Sequence, residues 1–421
     1  MSPGVFMLTN PMCIDSPLRG VRCCTIVQVH ELYYDPYNVE IDVDPYPVYK
    51  RLRDEAPLYY NEKFDFWALS RFADVDSALK DVDNLSNAKG DILEVVKAEP
   101  VMPDGVFINE DPPVHTVHRL LVSRAFTPRK MKAIEEQVRT FCEACLDPLQ
   151  GGDGFDFTLD LGSEMPMRVI GMLVGMPDSL QRSVRKVAGE RLRNKPGEPL
   201  PVKKDKYFNG NMFRDYVAWR KENPSDDLVT ELLNVEFDDV DGQKRKLREE
   251  ELLVFLGVIA NAGTETVGRL FGWLGKVLAD HPDQRRELAA DPSLIPGAVE
   301  EVLRFEPPVH SIARYVAKDV EYHGQTVPAG SALLLMAGAA NRDERRFDDP
   351  DVFDIRRNPN HLTFGRGAHF CLGTSLARIE ARVALEEILK RWPDWTIDEQ
   401  NAVRAPTATV RGWDSMPALV G

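Results

Sequence analysis

One run of sequence, Glu249–Asp280, governs what this chain can become. Its apolar residues recur at helical spacing, and in the middle they run almost all round the helix. Such a helix must be buried on every side, so the run predicts a central helix wrapped by the rest of the chain. The flanking pattern agrees. Tyr46–Glu55, Phe72–Val82, Val117–Phe126, Lys130–Leu149, Ser163–Val174, Asp178–Arg193, Phe208–Lys221 and Ser293–Phe305 carry helical periodicity, and another helix begins at Asp226–Leu233. Leu58–Tyr60, Phe66–Leu69, Ala313–Val316 and Ala332–Leu335 read as short strands, Phe237–Lys246 as a hairpin around Asp241-Gly242, and Val403–Val420 as another. Asn84–Asn109 has weak periodicity and reads as a long loop, a feature uncommon in compact domains and often functional. Residues 1–30 show no sustained period and read as a leader. No repeat, low-complexity tract or linker divides the remainder, so 31–421 is predicted to be a single domain, mainly α with small β regions.

The chain has 421 residues, with 52 Lys+Arg against 67 Asp+Glu, a net charge of −15. That balance excludes a surface given over to nucleic acid or an anionic membrane. Six cysteines are too few for a disulfide scaffold, and Cys142 and Cys145 read as packing thiols on a helix. No charge-free apolar run reaches the roughly 18 residues of a membrane span, and the first residues lack the basic start of a signal peptide. The expectation is a cytoplasmic protein with no membrane anchor.

Two segments stand out against this background. In Phe364-Gly365-Arg366-Gly367-Ala368-His369-Phe370-Cys371-Leu372-Gly373, glycines let the backbone turn tightly toward a flat ligand before a cysteine that precedes a helix, Leu372–Trp392. Helix N-terminal amides stabilise a thiolate, and an anionic sulfur is a good axial ligand for haem iron. In Ala262-Gly263-Thr264-Glu265-Thr266 a glycine and a polar cluster interrupt the apolar central helix. Glycine there costs about 1 kcal/mol relative to alanine. A simple kink, with Thr hydroxyls bonding back to the preceding turn, is the plainer reading; a groove for a small ligand is the functional one.

The decamer resembles the haem-binding signature of the cytochrome P450 family, and further motifs follow in that family's order from about Pro45 onward. The resemblance implies the family's mostly α triangular prism and a haem b cofactor with Cys371 as the metal ligand. It implies that Thr266 orders water and hydrogen-bonds dioxygen while Glu265 supplies protons. Phe364, Gly365, Gly373, Ala262 and Gly263 would lie against the haem. His115 and Arg119, in an H-x-x-x-R, together with Arg314 and His369, would clamp its propionates. Glu301 and Arg304, an E-x-x-R, would form a structural pair completed by Arg357, although counting back from Phe364 favours Arg356. Pocket walls implied by analogy include Ile92, Val95, Val258, Ile259, Val309, Ile312 and Val410, mainly aliphatic and suited to a lipophilic terpenoid, steroid, fatty acyl or aromatic compound.

The implied activity is insertion of one oxygen atom from O2 into such a molecule. No fused flavin or iron–sulfur segment is visible, so electrons are expected from a separate ferredoxin served by an NAD(P)H-dependent ferredoxin reductase. Arg119, Arg124, Arg129, Lys130, Lys132, Arg345, Arg346 and Arg366 would offer it a cationic patch on an acidic protein. The rival readings are a peroxide-using or isomerising haem-thiolate enzyme and a non-enzymatic haem sensor or carrier.

Overall fold

The computed structural model describes residues 31–203 and 210–421. The leader 1–30, with three of the cysteines, and the predicted helix start at Phe208 lie outside the described residues. The elements that position the site are β1 (Leu58–Asn61), β2 (Phe66–Leu69), β3 (Leu85–Ser86), α1 (Leu93–Ala98), α2 (Val114–Ser123), α3 (Met165–Leu173), α4 (Glu249–Asp280), α5 (Ile295–Phe305), β4 (Ile312–Val316), β5 (Ala332–Leu335) and α6 (Thr374–Arg391).

The central helix α4 spans the whole of the predicted run. Three glutamates fill its first turn, where the helix dipole favours them. Glu251 reaches back to accept the Arg248 backbone N–H at 2.7 Å, closing the N-terminus. Pro282 follows the last turn and opens the next helix. By length and composition α4 could cross a membrane, but 67% of its apolar window is buried inside the protein, against α3, α6 and the turn Phe157–Gly162. Its apolar girdle is therefore a core.

A five-stranded sheet, ordered β1-β2-β5-β4-β3, forms a second layer. β1 and β2 are a hairpin, β5 runs parallel to β2, and β4 is antiparallel to β5, with Leu334 opposite both Ala68 and Ala313. All four residues of β5 are buried, as a central strand requires.

Three expectations change. The Asn84–Asn109 loop contains β3, the helix α1 and a turn at Phe107–Asn109. Leu93 and Val96 of α1 pack into the sheet-side core, and a helix this short leaves too little sequence for its period to show. Lys130–Leu149 is two helices, Pro128–Ala133 and Glu135–Leu146, broken at Ile134. At the C-terminus Val403–Arg404 pairs with Trp413–Ser415, but Pro417–Leu419 pairs with Gly154–Asp156 and Thr396–Ile397 instead. Alternation marks a strand without naming its partner. Cys142 is buried and Cys145 half-buried on one helix, with burial pushing both thiols up, Cys145 to about 11, as packing thiols should behave.

Candidate active site

The Cys371 loop folds back on itself. Gly365 and Gly367 both have φ of +68°, and a Cβ at Gly367 would come within 2.9 Å of the Leu79 carbonyl oxygen. The turn lets the Cys371 N–H donate to the Phe364 carbonyl at 2.8 Å. Helix α6 begins three residues later, at Thr374, whose hydroxyl donates to the Cys371 carbonyl at 2.7 Å. Burial pushes the thiol up, while the Gly373 amide, the Thr374 hydroxyl and the cations Arg119 and Arg378 oppose that. The exposed surface of Cys371 looks into a cavity of about 310 Å³.

A buried ionic network holds this loop in place. Arg304 donates to Glu301 twice, at 2.7 and 2.8 Å, and Arg357 Nε reaches Glu301 Oε1 at 3.1 Å. Arg356 pairs with Glu287 at 2.5 Å, so Arg357 is the third member. Arg304 also donates to the Asn341 and Pro350 carbonyls. Asn341 continues the chain of bonds: its carboxamide accepts from Leu362 N–H at 2.8 Å and donates to the Thr363 hydroxyl at 3.0 Å. Phe364, the start of the loop, follows immediately.

Ala262, Gly263 and Thr266 of α4 line the same cavity. Thr266 donates its hydroxyl to the Ala262 carbonyl at 2.9 Å, and Thr264 does the same to Ala260 at 2.8 Å. Gly263 has a packing reason: a Cβ there would lie 2.6 Å from Ile170 Cδ1, so the glycine admits α3 against α4. Glu265 faces away from the cavity. Its carboxylate accepts from Arg269 Nε at 3.1 Å and its side chain is 17% exposed. Arg269 in turn holds Asp414 at 3.1 Å, and Asp414 accepts two bonds from Arg193 at 2.7 Å.

One end of the cavity is cationic. His115, Arg119, Arg314 and His369 all line it, with the His115 and His369 rings 4.0 Å apart. Both ring nitrogens of His115 and Nε2 of His369 are buried without a hydrogen-bond partner. Arg314 is 3% exposed and donates to the Ala313 carbonyl, with no ion pair among the described residues. Burial pushes His115 down to about 4, aided by Arg119; it takes His369 to about 3 and Arg314 to about 10. Arg119 donates to the Phe370 carbonyl of the cysteine loop. His118 turns away to Glu110, at 2.8 Å.

The remaining wall is mainly apolar. Val258, Ile259, Val309 and Ile312 line the cavity as expected; Ile92, Val95 and Val410 do not. Ile92 borders a separate small recess beside Tyr37 and Thr409. Val95 is fully buried next to Gly90, and Val410 is buried in a bridge to Val309. Residues without a sequence signal complete it: Ile170, whose only trace was the unexplained Gly263, Leu303, Ser311 and Glu380.

A family model described as cytochrome P450 matches residues 203–411. A putative cytochrome P450 123 of Mycobacterium tuberculosis is 39% identical over 399 residues, covering 93% of this chain and 97% of the relative. The chain belongs to the cytochrome P450 family. The vitamin D(3) 25-hydroxylase of Pseudonocardia autotrophica is 34% identical over 385 residues, covering 90% and 94% of the two chains. Cytochrome P450 CYP109Q5 from Chondromyces apiculatus shares the fold with a TM-score of 0.80 at 33% identity, covering 92% of this chain and 98% of that one. This P450 is thus an oxidoreductase, a monooxygenase that uses haem iron, dioxygen, a lipophilic substrate and redox partners. The residues present fit the haem. A thiol opens into the cavity, and four cationic or orphaned imidazole and guanidinium groups gather at one end, where two propionates would need partners.

Proposed function

We propose that this P450 binds haem b through Cys371 and hydroxylates a lipophilic small molecule of sterol or secosteroid dimensions, with electrons from a separate ferredoxin and its NAD(P)H-dependent reductase. The observation that carries the reading is that Cys371 and Thr266 line one cavity together with aliphatic side chains. When bound, the haem supplies the activation of dioxygen.

The chain's own residues do the rest. His115, Arg119, Arg314 and His369 would hold the propionates of the haem. Val258, Ile259, Val309 and Ile312 exclude water and orient an aliphatic skeleton. Thr266 presents its hydroxyl to the cavity, released from the Ala262 carbonyl when a better acceptor is near. Glu265, partly exposed, takes protons from solvent and passes them toward Thr266 when Arg269 lets go. This acid–alcohol pair favours dioxygen chemistry over a peroxide-using or isomerising enzyme, which needs no such relay. The substrate class follows the aliphatic lining and the 25-hydroxylase relative.

For the electron donor, Arg124, Arg129 and Lys132 are exposed and free of ion pairs among the described residues, beside Leu120, which is 60% exposed. Arg345 is neutralised by Asp54, Asp343 and Glu344, and Arg366 is tied to Asp76 and Asn360, so the patch is smaller than the sequence implied. A cationic rim around an apolar centre suits a small acidic ferredoxin, and the reducing cytoplasm is the compartment that fits such a partner.

The test is a screen of sterols, secosteroids, fatty acids and terpenoids for a spin-state shift of the ferric haem, followed by product analysis. A shift with a sterol-like compound and a product heavier by one oxygen is expected. Shifts confined to small aromatics would overturn the substrate class. Reversing Arg124 and Lys132 to Glu should slow reduction by ferredoxin and spare peroxide-driven turnover; equal loss of both would refute the docking face.

A further inference from the structure

The main cavity and the small recess beside Tyr37 share a polar wall: Asp91 and Ser311 line both spaces. Ser311 directly precedes Ile312, the first residue of β4, and is 8% exposed. Its hydroxyl makes no hydrogen bond among the described residues. Asp91 is fixed from two sides. Its backbone carbonyl accepts the Ala313 N–H at 2.8 Å, and its Oδ1 accepts from Asn109 Nδ2 at 3.1 Å. Its Oδ2 accepts nothing and forms no ion pair among the described residues; Arg314 feels the charge of Asp91 without bonding it. The recess beyond has about 20 Å³ and is lined also by Glu94 and Thr409. That is room for one oxygen-sized group and not for a second ring. A hydroxyl and a carboxylate oxygen left open in this way cost free energy until a partner of matching polarity meets them.

We infer that this wall is a hydroxyl subsite: the substrate is a lipophile carrying an alcohol group, which donates to Asp91 Oδ2 and accepts from the Ser311 hydroxyl. The inference rests on the lipophilic-substrate reading above and narrows it. A hydroxyl is the group that satisfies both partners, because it donates once and accepts at the same oxygen. An ionised carboxylate has no proton for Asp91 and is repelled by Asp91 and Glu94, so a free fatty acid fits poorly. A plain hydrocarbon leaves both polar groups unmet. Asp91 and Ser311 are then specificity-determining residues. They tether one end of the skeleton, while Val258, Ile259, Val309 and Ile312 pack the rest and limit which carbons are offered for reaction.

Spin-state titrations of the full-length, haem-loaded protein with matched probes test the idea. The sets are cholestanol with cholestane, borneol with bornane, and dodecanol with dodecane and dodecanoate. In each set that binds, the alcohol should bind roughly tenfold tighter than the hydrocarbon, and dodecanoate more weakly than dodecanol. Ser311→Ala and Asp91→Asn should each close most of the alcohol–hydrocarbon gap, with the hydrocarbon's affinity moving far less than the alcohol's. That selective loss separates recognition from a general disturbance of the pocket. Equal affinity for alcohol and hydrocarbon, a gap that survives both substitutions, or a preference for dodecanoate overturns the inference and leaves the proposed function standing. No spin-state shift with any probe overturns both. Asparagine is isosteric with aspartate and can keep the bond from Asn109, and Ser311→Ala removes a single oxygen, so either variant carries the test if the other fails to fold.

Discussion

Two buried polar regions flank the cysteine loop, and they are built on opposite principles. In the Glu301–Arg304–Arg357 network every charge is met: three side chains and the backbone groups of Asn341, Pro350 and Asp354 share bonds, with Glu301 and Arg304 fully buried. At the cationic end of the cavity, Arg314 is buried without an ion pair among the described residues, and the buried ring nitrogens of His115 and of His369 Nε2 are left without a hydrogen-bond partner. The first arrangement stabilises the fold. The second costs stability until a dianionic ligand arrives, which marks it as a binding site. The same contrast separates two glutamates. Glu251 accepts from Arg245 and from the Arg248 side chain and N–H, and these bonds outweigh burial to hold it down at about 2. Glu380 accepts from nothing.

The comparison breaks first at Arg304. Arg304→Ala leaves the buried Glu301 with only Arg357 and the Asp354 N–H as partners and should cost about 3 kcal/mol of stability in the haem-free protein, read by chemical denaturation. A loss under about 1 kcal/mol would mean that the network is ornamental. Next is acid stability. The folded pKa of Glu251 lies below its unfolded value, so its contribution is full above about pH 4.5 and disappears as pH falls toward 2. That contribution is on the order of 3 kcal/mol. Glu251→Gln should flatten this part of a stability-against-pH curve; an unchanged acid limb would place the titration elsewhere. The third test has mixed sign. Arg314→Leu removes a buried charge that has no ion pair among the described residues and only Asp91 and Asp111 at longer range to offset it, so the haem-free protein should be unchanged or up to about 2 kcal/mol more stable. Its affinity for haem, followed by competitive transfer to an apo-acceptor, should fall roughly tenfold. Destabilisation of the haem-free form would place Arg314 with the structural ions instead.

The parts of the site that sequence made legible are those with fixed local spacing. The glycine-flanked Cys371, the Glu301–Arg304 step on α5 and the His115–Arg119 turn are short-range patterns, and the structure brings them together. Arg357 over Arg356 needed the fold, because a one-residue ambiguity in a loop is settled only by where Glu301 points. The missed wall residues are a different case. Ile92, Val95 and Val410 lie in the right segments but outside the cavity wall, a placement that no spacing encodes. Nothing in the sequence singles out Glu380 on its helix. Only the packing of α4 over α6 reveals that it has no water-facing side.

The contact between Gly263 and Ile170 has a practical side. The width of the chamber over the cysteine is set by a methyl group borrowed from another helix, so it behaves as a movable stop. Shortening Ile170 would open room for bulkier guests without touching the helix that carries Thr266, and that makes α3 the natural place for selection, or an engineer, to retune what this enzyme accepts.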